Sequence, residues 1–207
     1  MSQPQDSVFV VDDDSSVRHA LSSLIRSVGL EVKLFASAQE LLANNDLDSA
    51  SCLVLDVRLP GSSGLDLQLH LTRAGIRVPI IFMTAHGDIP MSVKAIKAGA
   101  VDFLPKPFRE QDLLDAIHEA LERRRALRAD ELARVALRRR FDLLTPREQE
   151  VMTWVISGRL NKQIAVELGT SEVTVKIHRS HVMRKMQAAS VVDLVRMAAS
   201  IGLAARA

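Results

Sequence analysis

The sequence predicts an α/β protein with a doubly wound, five-stranded parallel sheet, followed by a long helical segment and a small all-α domain. Three observations support this fold class. Short runs of β-branched and apolar residues alternate with helical segments over about the first 120 residues, as in parallel sheets. Residues 110–140 contain no Gly or Pro, and residues 145–201 hold four short segments that begin with helix caps. We therefore expect domains at residues 1–120 and 142–207, joined by a helical linker at residues 121–141.

The expected strands are five apolar runs, at residues 8–11, 32–35, 52–55, 79–83 and 101–104. The segments between them have helical spacing, as at Val17, Leu21 and Ile25, and this first segment ends at Gly29. Five strands and five helices with short connections fit into about 120 residues. This arrangement predicts a sheet with helices on both faces.

Charge divides the chain of 207 residues into two unlike parts, although the net charge is only +2. Residues 1–118 carry 10 Lys and Arg against 15 Asp and Glu, whereas residues 119–207 carry 17 against 10. A basic domain is typical of proteins that bind polyanions, because neutralising phosphates releases counterions. A solvated basic face is the alternative that charge by itself leaves open.

Cysteine content and the first residues exclude several classes of protein. The single cysteine, Cys52, lies in an apolar run, which excludes a disulfide framework and a cysteine-rich metal site. The N-terminus lacks a basic segment leading into an apolar core, and no apolar run approaches membrane length. We expect a cytoplasmic protein without a membrane segment.

Polar residues follow four of the five expected strands. They are Asp12, Asp13 and Asp14 after the first strand, Asp56 after the third, Thr84 after the fourth and Lys106 after the fifth. Ligands of such sheets bind beyond the carboxyl ends of the strands, so these side chains should meet in one crevice. Clustered carboxylates repel one another unless a cation is present, and Mg²⁺ accepts such oxygen ligands. Taken singly, each residue favours a plainer role: the aspartates as caps or turn formers, Thr84 as a strand-end residue and Lys106 as solvated surface.

The motifs around these residues resemble the receiver domain of bacterial two-component response regulators. They are Asp12-Asp13, Leu55-Asp56-Val57-Arg58-Leu59-Pro60-Gly61, Thr84-Ala85-His86-Gly87 and Lys106-Pro107-Phe108, and the resemblance covers about residues 6–120. It implies that Asp56 accepts a phosphoryl group from a sensor histidine kinase. It also implies that Mg²⁺ is held by Asp13, Asp56 and the backbone carbonyl of Arg58, with Asp12 assisting.

The same resemblance assigns roles around the phosphoryl group. Lys106 offers it a positive charge, and Thr84 turns its hydroxyl towards it. Phe103 matches the switch aromatic, which turns inward into the space that Thr84 leaves; plain core packing is the alternative for this residue. The Lys106–Pro107 peptide is expected to be cis. Arg58 and His86 lie where similar receivers influence how quickly water removes the phosphoryl group.

The linker is rich in good helix formers, so a single long helix is expected. Its start presents Leu113, Leu114, Ile117 and Leu121 to the first domain, whereas residues 122–140 contain eight arginines and few apolar residues. A solvated spacer is the favoured interpretation, and a partial dimer coil or a helix that frays in its middle are the alternatives.

Helix caps organise the last domain. Thr145, Pro146 and Glu148 supply an N-cap, a first-turn proline and a capping-box glutamate for a helix that stops at Gly158. A second helix is expected between Asn161, as its cap, and Gly169. A third follows Ser171, and a fourth follows Ser190. Four short helices with tight turns predict a helix-turn-helix domain.

The third of these helices has two faces. Val175, Val182 and Met186 should pack into the core, with Met183 beside them, whereas Val173 and Ile177 lie opposite. In a DNA major groove these two side chains could meet thymine methyl groups; a wider core that encloses them is the alternative. The candidate DNA contacts are Lys162, Thr174, Lys176, Ile177, Arg179, Ser180, His181, Arg184 and Lys185.

This domain resembles the LuxR-type helix-turn-helix over about residues 140–207. The residues are 144–148, 161–165 and 174–179, and with the receiver in front the chain resembles the NarL/FixJ response regulators. His86-Gly87-Asp88-Ile89-Pro90-Met91 is similar to the FixJ-like branch. In this class the last helix, at about residues 191–201, commonly forms the dimer contact; for Val191, Leu194, Val195 and Ala198 a core role is equally open.

The resemblance implies a DNA-binding regulator that dimerises when phosphorylated and activates transcription. Its partners would be a sensor histidine kinase, double-stranded DNA, a second copy of the chain and RNA polymerase. It implies no enzymatic activity beyond self-phosphorylation and dephosphorylation at Asp56. One alternative is a DNA-binding regulator that works without phosphorylation. Another is an aspartyl-phosphate hydrolase, although Arg58 stands where such hydrolases have a second acidic residue.

Overall fold

A parallel sheet dominates the N-terminal part of the computed structural model, which describes residues 6–85 and 89–203. The strands are β1 (Ser7–Val11), β2 (Glu31–Phe35), β3 (Cys52–Asp56), β4 (Arg58–Leu59), β5 (Ser62–Ser63), β6 (Ile80–Thr84) and β7 (Asp102–Pro105). Five of them form one parallel sheet in the order β2-β1-β3-β6-β7, and β4 pairs with β5 as an antiparallel ribbon. The predicted five-stranded sheet is confirmed, with strand ends shifted by about one residue.

Helices cover both faces of this sheet. They are α1 (Ser15–Ser27), α2 (Ala38–Leu42), α3 (Gly64–Arg73), α4 (Ile89–Lys97) and α5 (Glu110–Asp142), with a 3₁₀ turn at Leu47–Ser49. Successive residues of β1 enter different cores: Phe9 shares one core with Leu67 of α3, and Val8 shares the other with Ile117 of α5. A sheet buried on both faces requires apolar residues at consecutive positions, which is why its strands are continuous apolar runs.

The predicted linker is part of one helix, α5. The structure divides within this helix into two compact units, Met1–Leu127 and Arg128–Ala207. Residues 121–127 belong to the first unit: Leu121 is buried, and the Arg124 guanidinium donates to the backbone carbonyls of Asp48 and Arg77. Hydrogen bonds of Arg124 therefore attach this part of α5 to the rest of the first unit.

After α5, the described part of the second unit, up to residue 203, contains four helices: α6 (Pro146–Ile156), α7 (Asn161–Glu167), α8 (Glu172–Met186) and α9 (Val191–Ser200). The capping box of Thr145 and Glu148 is present, and Ser171 and Ser190 cap α8 and α9 as predicted. The predicted Asn161 cap is wrong. Leu160 occupies the N-cap position and its N–H donates to Gln163, while the Asn161 side chain accepts a hydrogen bond from Arg179.

Across the described ranges, no helix combines the length and the apolar character that a membrane span needs.

Candidate functional site

Three carboxylates meet at the carboxyl edge of the sheet. Asp12 and Asp13 follow β1, and Asp56 ends β3, the strand beside it. One oxygen of each lies within 4.8 Å of one from each of the others, and within the described part of the chain this is the one group of three or more such side chains with metal-ligand spacing. Asp12 is buried, whereas Asp13 is exposed. The predicted convergence is confirmed for these three carboxylates, whereas Asp14 caps α1 instead. The oxygen-only donor set suits Mg²⁺.

Lys106 joins two of these carboxylates. It follows β7, and its Nζ lies 2.6 Å from Oδ2 of Asp12 and 2.9 Å from Oδ2 of Asp56. Burial would lower the pKa of this ammonium group, but hydrogen bonds to both carboxylates raise the pKa above its ordinary value. The protein itself therefore supplies one cation between the two acids.

The remaining oxygens of these acids accept backbone N–H groups. Oδ1 of Asp56 accepts from the N–H of Arg58 at 3.1 Å, and Oδ1 of Asp12 accepts from the N–H of Asp14 at 2.9 Å. Both carboxylates are thus oriented by local turns as well as by Lys106. Each keeps lone pairs for a further cation, because a carboxylate offers about four acceptor positions.

Gly64, the first residue of α3, lies against the backbone of Asp56. A Cβ atom at this position would lie 2.5 Å from the Asp56 carbonyl oxygen. Only glycine therefore allows α3 to begin this close to the strand end that carries Asp56. The sequence analysis missed the role of this residue. A glycine in the first turn of a helix was the pattern that could have indicated a close backbone contact.

Thr84 and Phe103 lie on the two strands that come after β3 in the sheet order. Thr84 ends β6, the neighbour of β3, and is buried. Phe103 of β7 is partly exposed and its ring centroid lies 6.4 Å from that of Phe82. The predicted cis peptide at Lys106–Pro107 is present. His86 and its neighbours up to residue 88 lie outside the described residues.

The exposed face of α8 is the candidate DNA interface. Val175, Val182 and Met186 are fully buried as predicted, whereas Val173 is 69% exposed and Ile177 is 51% exposed. Lys162, Lys176, Ser180 and Arg184 are also exposed, and Thr174 is partly exposed. The alternative of a wider core that encloses Val173 and Ile177 is therefore wrong within this chain. Apolar side chains interspersed with cations form a surface that can meet DNA.

Two of the candidate DNA contacts instead lie against Glu148 of α6. This carboxylate is 3% exposed; its Oε2 lies 2.6 Å from Nζ of Lys185, and its Oε1 lies 3.4 Å from Nδ1 of His181. Burial alone would raise the pKa of Glu148, but hydrogen bonds from Lys185 and the N–H of Thr145 and the charge of Lys185 lower it to about 2. Lys185 therefore forms an ion pair with a buried carboxylate of its own domain. Sequence reasoning missed this role because residues 148 and 185 are distant in the chain.

Comparisons with known proteins agree with both parts of this description. Residues 8–118 match the family model of the response regulator receiver domain, and residues 142–198 match that of bacterial regulatory proteins of the luxR family. The chain belongs to the response regulators with a LuxR-type DNA-binding domain. Like its relatives, this response regulator is a transcriptional regulator.

Relatives and solved structures cover nearly the whole response regulator. Nodulation protein W of Bradyrhizobium diazoefficiens is 57% identical over 96% of the chain and 87% of that protein. Transcriptional regulatory protein FixJ of Azorhizobium caulinodans is 43% identical over 95% of the chain and 93% of that protein. The structure of response regulator StyR has a TM-score of 0.76 at 48% identity and covers 94% of the chain and 98% of the StyR chain.

The last helix of this response regulator packs one part of its surface into the core. Leu194 and Ala198 of α9 are buried, whereas Val192 and Val195 are exposed. The core alternative is therefore confirmed for Leu194 and Ala198. A dimer contact through α9 stays a prediction.

Proposed function

We propose that Asp56 accepts a phosphoryl group from a sensor histidine kinase and that this modification controls DNA binding by α8. The observation that carries the proposal is the position of Lys106, whose ammonium group contacts Asp12 and Asp56 in a crevice that also holds Asp13. Such a crevice accepts a cation and a phosphoryl group together. The LuxR-type domain of the same chain supplies the output.

The chemistry assigns one task to each side chain. A carboxylate oxygen of Asp56 attacks the phosphorus of a phosphohistidine, the P–N bond breaks, and the imidazole leaves with the bonding electrons and takes up a proton. Lys106 then offers its charge to the phosphoryl oxygens, and Thr84 donates a hydrogen bond to them. Asp13, Asp56 and the Arg58 carbonyl, assisted by Asp12, would hold Mg²⁺, which neutralises charge on the transferred group.

The response spreads from Thr84 to the surface near β7. Phe103 is partly exposed beside Phe82, and its ring turns inward into the space that the Thr84 hydroxyl leaves when it moves. This turn changes the surface around α4 and β7 and promotes dimerisation. A symmetric dimer then binds two half-sites about one helical turn apart, and it activates transcription through RNA polymerase in the cytoplasm, where the DNA lies.

Phosphoryl uptake tests this function directly. When full-length protein is incubated with Mg²⁺ and acetyl phosphate, we expect one phosphoryl group per chain by intact-mass spectrometry, and no uptake when EDTA removes the metal. Sustained release of phosphate from small phosphoesters would instead favour a hydrolase. DNA binding without any phosphoryl uptake, whether from acetyl phosphate or from a histidine kinase, would favour a regulator that works without phosphorylation.

A contact to DNA bases and a contact to the phosphate backbone should respond differently to mutation. Lys176 lies one residue from Ile177 on the exposed face of α8, and we expect Lys176→Ala to change the sequences selected from randomised DNA, at a cost of about 1–3 kcal/mol on the preferred site. Arg184→Ala should weaken binding to all sequences and reduce the salt slope by about one. Fluorescence anisotropy at several salt concentrations measures both effects. Identical behaviour of the two variants would contradict the assignment of these residues.

A further inference from the structure

The turn between β1 and α1 determines where two of the three clustered carboxylates point. Three residues, Asp12 to Asp14, connect the strand to the helix. Asp14 caps α1 by accepting hydrogen bonds from the N–H groups of Ser16 and Val17. Asp14 also donates its own N–H to Asp12. These bonds hold the ends of the turn, but they leave the carbonyl groups of Asp12 and Asp13 to other partners.

Arg18 binds both of these carbonyl groups. Its Nη1 lies 2.6 Å from the carbonyl oxygen of Asp12 and 3.0 Å from that of Asp13. One guanidinium nitrogen therefore fixes two successive peptide groups whose side chains belong to the acidic cluster. Arg18 is also the fourth residue of α1, where a cation opposes the positive end of the helix dipole. Its place in the first turn is thus unfavourable for the helix alone.

Two roles of Arg18 predict opposite effects on a bound cation. As a positive charge beside the cluster, Arg18 repels a metal ion that the carboxylates bind, so removing Arg18 would strengthen metal binding. As a clamp on the peptide groups of Asp12 and Asp13, it holds their carboxylates in position, so its removal would weaken metal binding. The bond to the Asp12 carbonyl is short and the bond to the Asp13 carbonyl has an ordinary length, and both reach directly to residues that supply ligands.

We propose that Arg18 is a positioning residue of the magnesium site, acting through the backbone of Asp12 and Asp13. This inference rests on the proposed function, because it assumes that the cluster binds Mg²⁺. Arg18 thereby holds the β1–α1 turn in its conformation before a metal ion binds. The clamp, rather than the charge of Arg18, dominates its effect on metal affinity.

Magnesium titration of full-length variants tests this role by isothermal calorimetry. We expect Arg18→Met to weaken Mg²⁺ binding about tenfold or more, as is usual when a group that orients metal ligands is removed. Arg18→Lys keeps the charge but loses the planar guanidinium group, and it should restore only part of the affinity. Equal or tighter Mg²⁺ binding by Arg18→Met would overturn the inference.

Arg26 supplies the matched control. It lies in the last turn of the same helix and likewise donates to a backbone carbonyl, that of Val32, but it is remote from the cluster. Arg26→Met should therefore bind Mg²⁺ like the original protein, and equal losses in both variants would overturn the inference. If Arg18→Met does not fold, as judged by circular dichroism, Arg18→Lys decides alone: unchanged affinity contradicts the clamp. Failure of the unsubstituted protein to bind Mg²⁺ would refute the metal site and this inference together.

Discussion

Replacing Asp56 with asparagine is expected to abolish the stimulation of DNA binding by a phosphodonor. The amide lacks the anionic oxygen that attacks phosphorus, whereas its size matches that of the carboxylate. Lys106 keeps its contact with Asp12 in this variant, so the crevice retains a partner for its ammonium group. Coupling between two sites typically changes affinity about 5- to 150-fold, and the whole of that change should be lost.

The measurement compares DNA binding with and without acetyl phosphate for full-length protein and two variants. Asp66→Asn is the matched control, because Asp66 is an exposed aspartate in the first turn of α3 of the same unit and lies outside the acidic cluster. This control should respond to acetyl phosphate like the original protein. Equal stimulation of Asp56→Asn would place the phosphoryl acceptor elsewhere in the chain.

Replacing Lys185 with methionine is expected to destabilise the DNA-binding unit by roughly 3 kcal/mol, the lower end of the cost of breaking a buried ion pair. Methionine removes the ammonium group that lies 2.6 Å from the buried carboxylate of Glu148. Trp154 is the only tryptophan and lies in the core of this unit, so its fluorescence reports urea unfolding there. Arg184→Met, at an exposed neighbouring position, should change the unfolding free energy little. Similar losses in both variants would contradict the proposed ion pair.

The same ion pair predicts a pH dependence with a definite sign. Folding lowers the pKa of Glu148 from 4.5 to about 2. The ionised group therefore contributes its full stabilisation above pH 4.5, and this contribution is lost as the pH falls towards about 2. Glu148→Gln lacks this carboxylate, so its deficit in unfolding free energy should shrink over that interval. A deficit that stays constant with pH would contradict this assignment.

Local patterns predicted the elements of this protein well because their causes are local. Consecutive apolar residues produce strands buried on both faces, and the hydroxyl of Thr145 caps the helix that follows it. The cap at Asn161 was predicted wrongly for the opposite reason. Its side chain has a tertiary partner, Arg179, which lies 18 positions away in the chain, so the competing bond was invisible to local reasoning.

The sequence by itself determined that Asp12, Asp13, Asp56 and Lys106 meet, because parallel strands bring their carboxyl ends to one edge of a sheet. It also determined the exposed apolar face of α8, through the angular step between helical residues. Only the tertiary structure decided how these groups are supported. Arg18 on the Asp12 and Asp13 carbonyls and Lys185 on Glu148 are contacts whose existence depends on the paths of side chains and loops in space. Periodicity specifies which face a residue occupies, but it does not specify which backbone or side-chain atom that residue reaches.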